Sequence, residues 1–166
     1  MNLGSAIIRG FQLIFGIVVL GLSVTLAKNQ VIYAVPAATG YAAFTGGIGI
    51  VSALLGIASL FVESLEGLIS WAVDGLAALA LLAGGITYAV LLRGTNCSNP
   101  ETLWQNTILG GGCTTYKGTF ICAYDGNPGK LEEQCRSATA DTAFMFMTFI
   151  MCLAAAAFGF FTAGRR

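Results

Sequence analysis

Long apolar runs separated by short polar breaks dominate the 166-residue chain. A membrane-crossing helix needs about 20 consecutive, mostly apolar residues, and the sequence supplies that length four times. The first run extends from Ile7 to Ala27, with Arg9 on its first turn and Lys28 just past its end. The second extends from Val35 to Val62 and stops at Glu63; its length implies either an interfacial start at Pro36 to Gly40 or a tilted helix. The third extends from Leu68 to Leu92 with Asp74 inside it, and the fourth from Ala138 to Ala163, ahead of Arg165 and Arg166. Continuous apolar runs exclude barrel strands, which alternate apolar and polar positions. The first run is too long for a secretory signal core, and no small-residue cleavage site follows it. The pattern predicts an all-α membrane protein. Its single domain, residues 1–166, is a four-transmembrane-helix bundle with helices at about 7–27, 35–62, 68–92 and 138–163.

Composition narrows the function classes. Charged residues make up 10% of the chain against about 25% in soluble domains, and 56% of residues are apolar. That balance excludes both a soluble globule and a disordered chain. Zero net charge leaves no basic excess for nucleic acid. The absence of His removes the commonest general base and metal ligand, so no enzyme activity, cofactor or metal site is expected.

The connections are unequal. Residues 28–34 form a short first loop, Glu63 to Glu66 a tight acidic turn, and residues 93–137 a long third loop. Four of the five cysteines, Cys97, Cys113, Cys122 and Cys135, fall in that third loop, whereas Cys152 sits in the fourth run as a small packing residue. The loop lacks the CxxC-like spacing of a zinc site, so two disulfides are expected, and with them an oxidising, extracellular location. Four cysteines allow three pairings. The stretch Cys113 to Tyr124, CTTYKGTFICAY, reads as two short strands around Lys117-Gly118. A two-residue turn there sets Cys113 opposite Cys122 at a non-hydrogen-bonded position, where strands come closest. The remaining bond then joins Cys97 to Cys135, tying the third helix to the fourth.

An external third loop makes the first loop external and both termini cytosolic. The count of basic residues opposes this: Arg9, Arg165 and Arg166 fall inside, but Lys28, Arg93, Lys117, Lys130 and Arg136 outside. The cysteines are given precedence, because four cytosolic thiols without zinc spacing would need their own explanation. Within the loop, Asn96-Cys97-Ser98 is a glycosylation sequon too close to the membrane and to a disulfide to be an efficient acceptor. Leu103, Trp104, Ile108 and Leu109 form an amphipathic stretch expected at the headgroup level.

Asp74 is the most informative intramembrane residue, since a charge at a helix centre costs about 2.5–3.5 kcal/mol on insertion scales. Arg9 and Gln12 on the first helix, and Ser59 on the second, lie at similar depth. A structural pair locking the first helix to the third is the expected role, ahead of a proton or ion site. A single carboxylate with no His and no second intramembrane carboxylate makes a poor conduction path. Asp141, on the first turn of the fourth helix, suits the positive end of that helix and is expected to pair with Arg93 or Arg136. Glu63 and Glu66 read as a solvated pair.

Small residues recur at four-residue spacing: Ala42-xxx-Gly46, Ser52-xxx-Gly56, Ala80-xxx-Gly84 and Ala155-xxx-Gly159-xxx-Ala163. This spacing lets helix backbones approach closely in lipid. The number of small faces also suggests a homo-oligomer. Phe144, Phe146, Phe149, Phe158, Phe160 and Phe161 load the fourth helix with aromatics for packing or lipid contact.

Several features together carry a family resemblance: Trp71-Ala72-Val73-Asp74, then Leu92-Arg93-Gly94-Thr95-Asn96-Cys97, then Cys135-Arg136 and Ala143-Phe144. The chain resembles the fungal MARVEL-domain tetraspan proteins of the non-classical export protein 2 type over nearly its whole length. It departs from them in adding Cys113 and Cys122 within a longer loop. The resemblance implies a plasma-membrane organiser of furrow-like lipid microdomains that responds to sphingolipid status and helps assemble a cytosolic scaffold, the eisosome. It also implies that Cys97 and Cys135 are the family's loop pair. The expected partners are therefore membrane lipids, including sterol or sphingolipid, further copies of the chain, and cytosolic eisosome scaffold proteins. The alternative is a small channel or transporter using Asp74.

Overall fold

The computed structural model describes residues 3–61, 68–99 and 102–163. The acidic turn at Glu63 and Glu66, the Arg165-Arg166 end and the side chain of Ala163 lie outside the described residues. The elements are α1 (Leu3–Lys28), α2 (Ala37–Ala58), α3 (Leu68–Leu91), β1 (Cys113–Tyr116), β2 (Thr119–Cys122) and α4 (Pro128–Ala163). All four helices are long and apolar enough to cross a membrane.

The helices form a square in which α1 packs on α2 and α4, and α3 packs on α2 and α4. This leaves α1 and α3 on one diagonal. Closest approach is between α1 and α2, where a Cβ added to Gly46 would lie 2.7 Å from the Leu20 backbone nitrogen. Backbone cannot step aside as a side chain can. Gly46→Val is therefore expected to cost about 1–3 kcal/mol by overpacking, read as a lower unfolding midpoint in detergent, whereas a Cβ at the open Gly47 meets nothing within 4 Å. Equal midpoints for Gly46→Val and Gly47→Val would refute the contact.

The helix bounds differ from the apolar runs chiefly at α4, which starts at Pro128 rather than Ala138. The cause is a local start signal that hydropathy does not register. The Asn127 side chain accepts the Lys130 backbone N–H at 3.2 Å, capping the helix, and Pro128 occupies the first turn, where its missing N–H costs nothing. The polar extension is held by Lys130–Glu133 and Arg136–Glu132 pairs on its exposed side, while Leu131, Gln134, Cys135 and Ala138 are buried. At 36 residues, α4 is about 54 Å long, well beyond the roughly 30 Å of hydrocarbon.

The loop between α3 and α4 carries the hairpin in the expected register, Cys113 opposite Cys122 and Tyr116 opposite Thr119. Lys117 and Gly118 both have positive φ, 49° and 82°, as a two-residue type I′ turn requires. A Cys113–Cys122 disulfide closes the hairpin, with Cα atoms 4.0 Å apart, and a Cys97–Cys135 disulfide staples the end of α3 to α4. The apolar side of segment 103–109 is covered by protein. Leu103, Ile108 and Leu109 are buried in a core continuous with that of the bundle, and half-buried Trp104 packs on Phe120.

This loop also grips the connection between α1 and α2. The backbone N–H groups of Val31 and Ile32 both donate to the Gly111 carbonyl, at 2.8 and 3.0 Å. Tyr124 donates its hydroxyl proton to the Asn29 carbonyl at 2.5 Å, and Asn29 donates to the Gln134 side chain at 3.2 Å. Gly112 has φ 97°, and an added Cβ would collide with the Ile32 carbonyl, so glycine is required there on both counts.

Candidate functional site

Polar side chains inside the bundle gather into two layers, and each layer draws on all four helices. The first lies toward the chain ends. Arg9 and Gln12 enter from α1, Ser52 from α2, Ser70 and Asp74 from α3, and Cys152 from α4. Arg9 grips Asp74 with both guanidinium nitrogens, Nη1 to Oδ1 at 2.5 Å and Nη2 to Oδ2 at 2.6 Å. This bidentate geometry gives a strong, directional contact, and here it crosses the α1–α3 diagonal. Asp74 Oδ1 also accepts from Ser52 Oγ at 2.5 Å and Gln12 Nε2 at 3.3 Å. Arg9 in turn donates to Gln12 Oε1 and Ser70 Oγ, each at 3.0 Å. The Gln12 amide also reaches Ser52 Oγ at 3.0 Å and Cys152 Sγ at 3.2 Å.

This arrangement depends on a missing side chain. A Cβ at Gly56 would collide with the Arg9 guanidinium, so Ser52-xxx-Gly56 supplies both a hydroxyl for Asp74 and the space for its partner. Asp74 is fully buried, and each carboxylate oxygen is engaged. Breaking such a pair leaves an uncompensated charge in low dielectric. Chemically, the layer is a lock.

The second layer lies toward the hairpin, about 17–21 Å from the first along each helix at 1.5 Å rise per residue. It comprises Ser23 on α1, Thr39 on α2, Tyr88 on α3 and Asp141 on α4, all buried. Ser23 Oγ donates to Asp141 Oδ2 at 2.7 Å. Asp141 Oδ1 and the Tyr88 hydroxyl have no hydrogen-bond partner. Thr39 is the polar side chain beside the Tyr88 hydroxyl, and Asp141 lies within electrostatic reach of it. Between the layers the core is Val19, Leu81 and Met145, together with Thr45 and Thr148, whose hydroxyls turn back onto their own helix carbonyls.

The structure thus places Asp74, Arg9 and Gln12 in one network. It corrects two other expectations. Ser59 is not the α2 member of the first layer, because its hydroxyl donates to the Gly56 carbonyl of its own helix; Ser52 takes that place. Asp141 pairs with neither Arg93 nor Arg136. Arg136 turns outward to Glu132 at 2.6 Å, and Asp141 points inward to Ser23. Ser52 stands out in the sequence only as a small residue of Ser52-xxx-Gly56, and Ser70, Ser23, Thr39 and Tyr88 do not stand out at all. Their one shared signal is a polar residue on the buried face of an otherwise apolar helix.

The small residues are spent largely within the bundle. Gly46 meets Leu20, Gly56 meets Arg9, and Gly159 meets the Trp71 indole nitrogen at 2.6 Å from a built Cβ. Gly84 has more room, with Met145 and Thr45 atoms no nearer than 3.4 Å, and Ala155 is buried. Facing outward are large apolar side chains, among them Ile14, Ile17, Phe44, Leu54, Leu76, Leu79 and Leu153. The outward hydroxyls of Thr25, Thr87 and Thr139 are each bonded to the carbonyl four residues earlier, at 2.8 Å. The surface offered to lipid is therefore apolar, with its hydroxyls already satisfied.

No curated protein and no solved structure matches the chain. The family model for MARVEL, a membrane-associating domain, matches residues 2–162. With four apolar helices packed around inward-facing polar layers, this multi-pass membrane protein belongs to the MARVEL family.

Proposed function

We propose that this MARVEL chain is a non-enzymatic organiser of the plasma membrane. It stabilises lipid microdomains of the eisosome-associated kind, as the resemblance to the fungal non-classical export protein 2 type implies. The observation that carries the reading is the partition of polarity. Arg9, Gln12 and Asp74 are buried and turned toward one another, and the outward side chains of the described spans beyond the polar start of α4 are mainly apolar, with the outward Thr hydroxyls self-bonded. Such a molecule acts through what its surface does to neighbouring lipids and to further copies of itself. Asp74 is held by Arg9, Ser52 and Gln12 together, which weighs against a carboxylate that exchanges ions along a channel.

Self-association is assigned to the lipid-facing side of α2, where Gly40, Phe44, Gly47 and Val51 succeed one another at three- and four-residue spacing. Gly40 and Gly47 have open space above them, a surface that admits close helix approach. The disulfide-bearing loop is placed outside the cell and both chain ends in the cytosol, where eisosome scaffold proteins would be met. Sterol or sphingolipid is the proposed lipid partner.

Extraction in a mild detergent, with particle size and co-purifying lipid measured together, tests this reading. A particle of several copies carrying bound sterol or sphingolipid, and inert to ion flux after reconstitution, is expected. A monomeric, lipid-free particle that conducts ions would overturn it.

A further inference from the structure

Among the described residues, Asp141 Oδ1 and the Tyr88 hydroxyl are the buried side-chain atoms with no partner at full hydrogen-bond geometry. Both residues have 0% exposure. Burying an ionised carboxylate without a counter-charge is among the costliest arrangements in a protein, and more so at membrane depth. Among the described residues the one buried cation is Arg9, and it is committed to Asp74 in the other layer.

The groups around Asp141 supply no other cation. From α1 it meets the Ser23 hydroxyl; α2 brings Thr39 beside Tyr88, and Tyr88 is the titratable group from α3. On its own helix, Arg136 is exposed and paired with Glu132. Lys28 and Arg93, at the hairpin-side ends of α1 and α3, are exposed. Asp141 Oδ1 is thus a buried acceptor beside the Ser23 hydroxyl, in the layer that also holds the buried Thr39 and Tyr88 hydroxyls. Every one of these oxygens has lone pairs to offer, and the site lacks a positive charge.

We propose that the second layer is a binding site for a small monovalent cation, either Na⁺ or a proton, held at Asp141 Oδ1. Ser23, Thr39 and Tyr88 complete its oxygen surroundings. The shared chemistry is compensation of one buried negative charge. The two occupants differ in what they leave behind: a proton converts the carboxylate to a carboxylic acid, and Na⁺ leaves it ionised.

The test uses the full-length protein in detergent, labelled with carboxyl-¹³C aspartate in an Asp125→Asn background, which leaves Asp74 and Asp141 in the spectrum. Unfolding midpoint and infrared spectrum are recorded at neutral pH across a Na⁺ series balanced with N-methylglucamine at constant ionic strength. The proton form is supported by a labelled carboxylic-acid C=O band that Na⁺ leaves in place and that Asp141→Asn removes. Sodium occupancy is supported by a saturable rise in midpoint with Na⁺ that Asp141→Asn abolishes. Tyr88→Phe weakens either response and provides a second reading should Asp141→Asn fail to fold. A wild-type protein with no labelled acid band and a midpoint indifferent to Na⁺ would overturn the proposal. So would a band or Na⁺ response that survives Asp141→Asn.

Discussion

Replacing Arg9 by Leu is expected to destabilise the bundle by about 3–5 kcal/mol, the range for removing one member of a buried ion pair. The loss exceeds that of the hydrogen bonds themselves, because Asp74 is left charged and fully buried with only Ser52 and Gln12 to donate to it. Asp74→Leu should do comparable damage by stranding the guanidinium. The double variant Arg9→Leu/Asp74→Leu should be markedly less damaged than the sum of the two. A paired set of apolar side chains removes both charges at once, and Gln12 keeps its bond to Ser52. Unfolding in mixed micelles measures the coupling. Strict additivity of the two single losses would show that Arg9 and Asp74 do not act as a pair.

The second large effect concerns the covalent staple. In the chain-entropy account, a cross-link stabilises in proportion to the logarithm of the loop it closes. Cys97 and Cys135 are 38 residues apart and Cys113 and Cys122 are nine apart. Removing the first bond by Cys97→Ser/Cys135→Ser should then cost about 4 kcal/mol, and removing the second by Cys113→Ser/Cys122→Ser about 2.5 kcal/mol. The order is the sharper expectation. The longer bond also holds α3 to α4, whereas the hairpin keeps its ladder and turn without the shorter one. A hairpin-bond variant with the lower unfolding midpoint would refute this ranking.

Much of the architecture is legible in the residues, for physical reasons that also mark where legibility ends. Apolar runs of membrane-crossing length permit few alternatives, because lipid forces backbone hydrogen bonds inside the helix. Asp74 was identifiable because a charge in such a run demands a partner, and Arg9 and Gln12 were the strongest donors at its depth. The choice of Ser52 over Ser59 was not legible. Both are polar residues on α2, and only the three-dimensional course of Arg9 across Gly56 separates them. The second layer was hidden for a related reason: Ser and Thr hydroxyls cost little in a helix that can satisfy them by itself, and a Tyr ring reads as largely apolar, so their convergence is a tertiary fact. The start of α4 was written in Asn127-Pro128 but was masked by the polarity of the turns that follow. Leu103, Ile108 and Leu109 showed amphipathicity without showing whether protein or lipid would cover their apolar side.

Among the described residues, the disulfides and the loop-to-loop backbone ties gather at the hairpin end, where the Cys97–Cys135 bond staples α3 to α4 and Gly111 and Tyr124 hold the connection of α1 to α2. Toward the chain ends, the described residues are held by the Arg9–Asp74 layer and by packing such as Trp71 on Phe160. The two ends are therefore held by different chemistry, so a reductant acts on the hairpin end and leaves the Arg9–Asp74 layer intact.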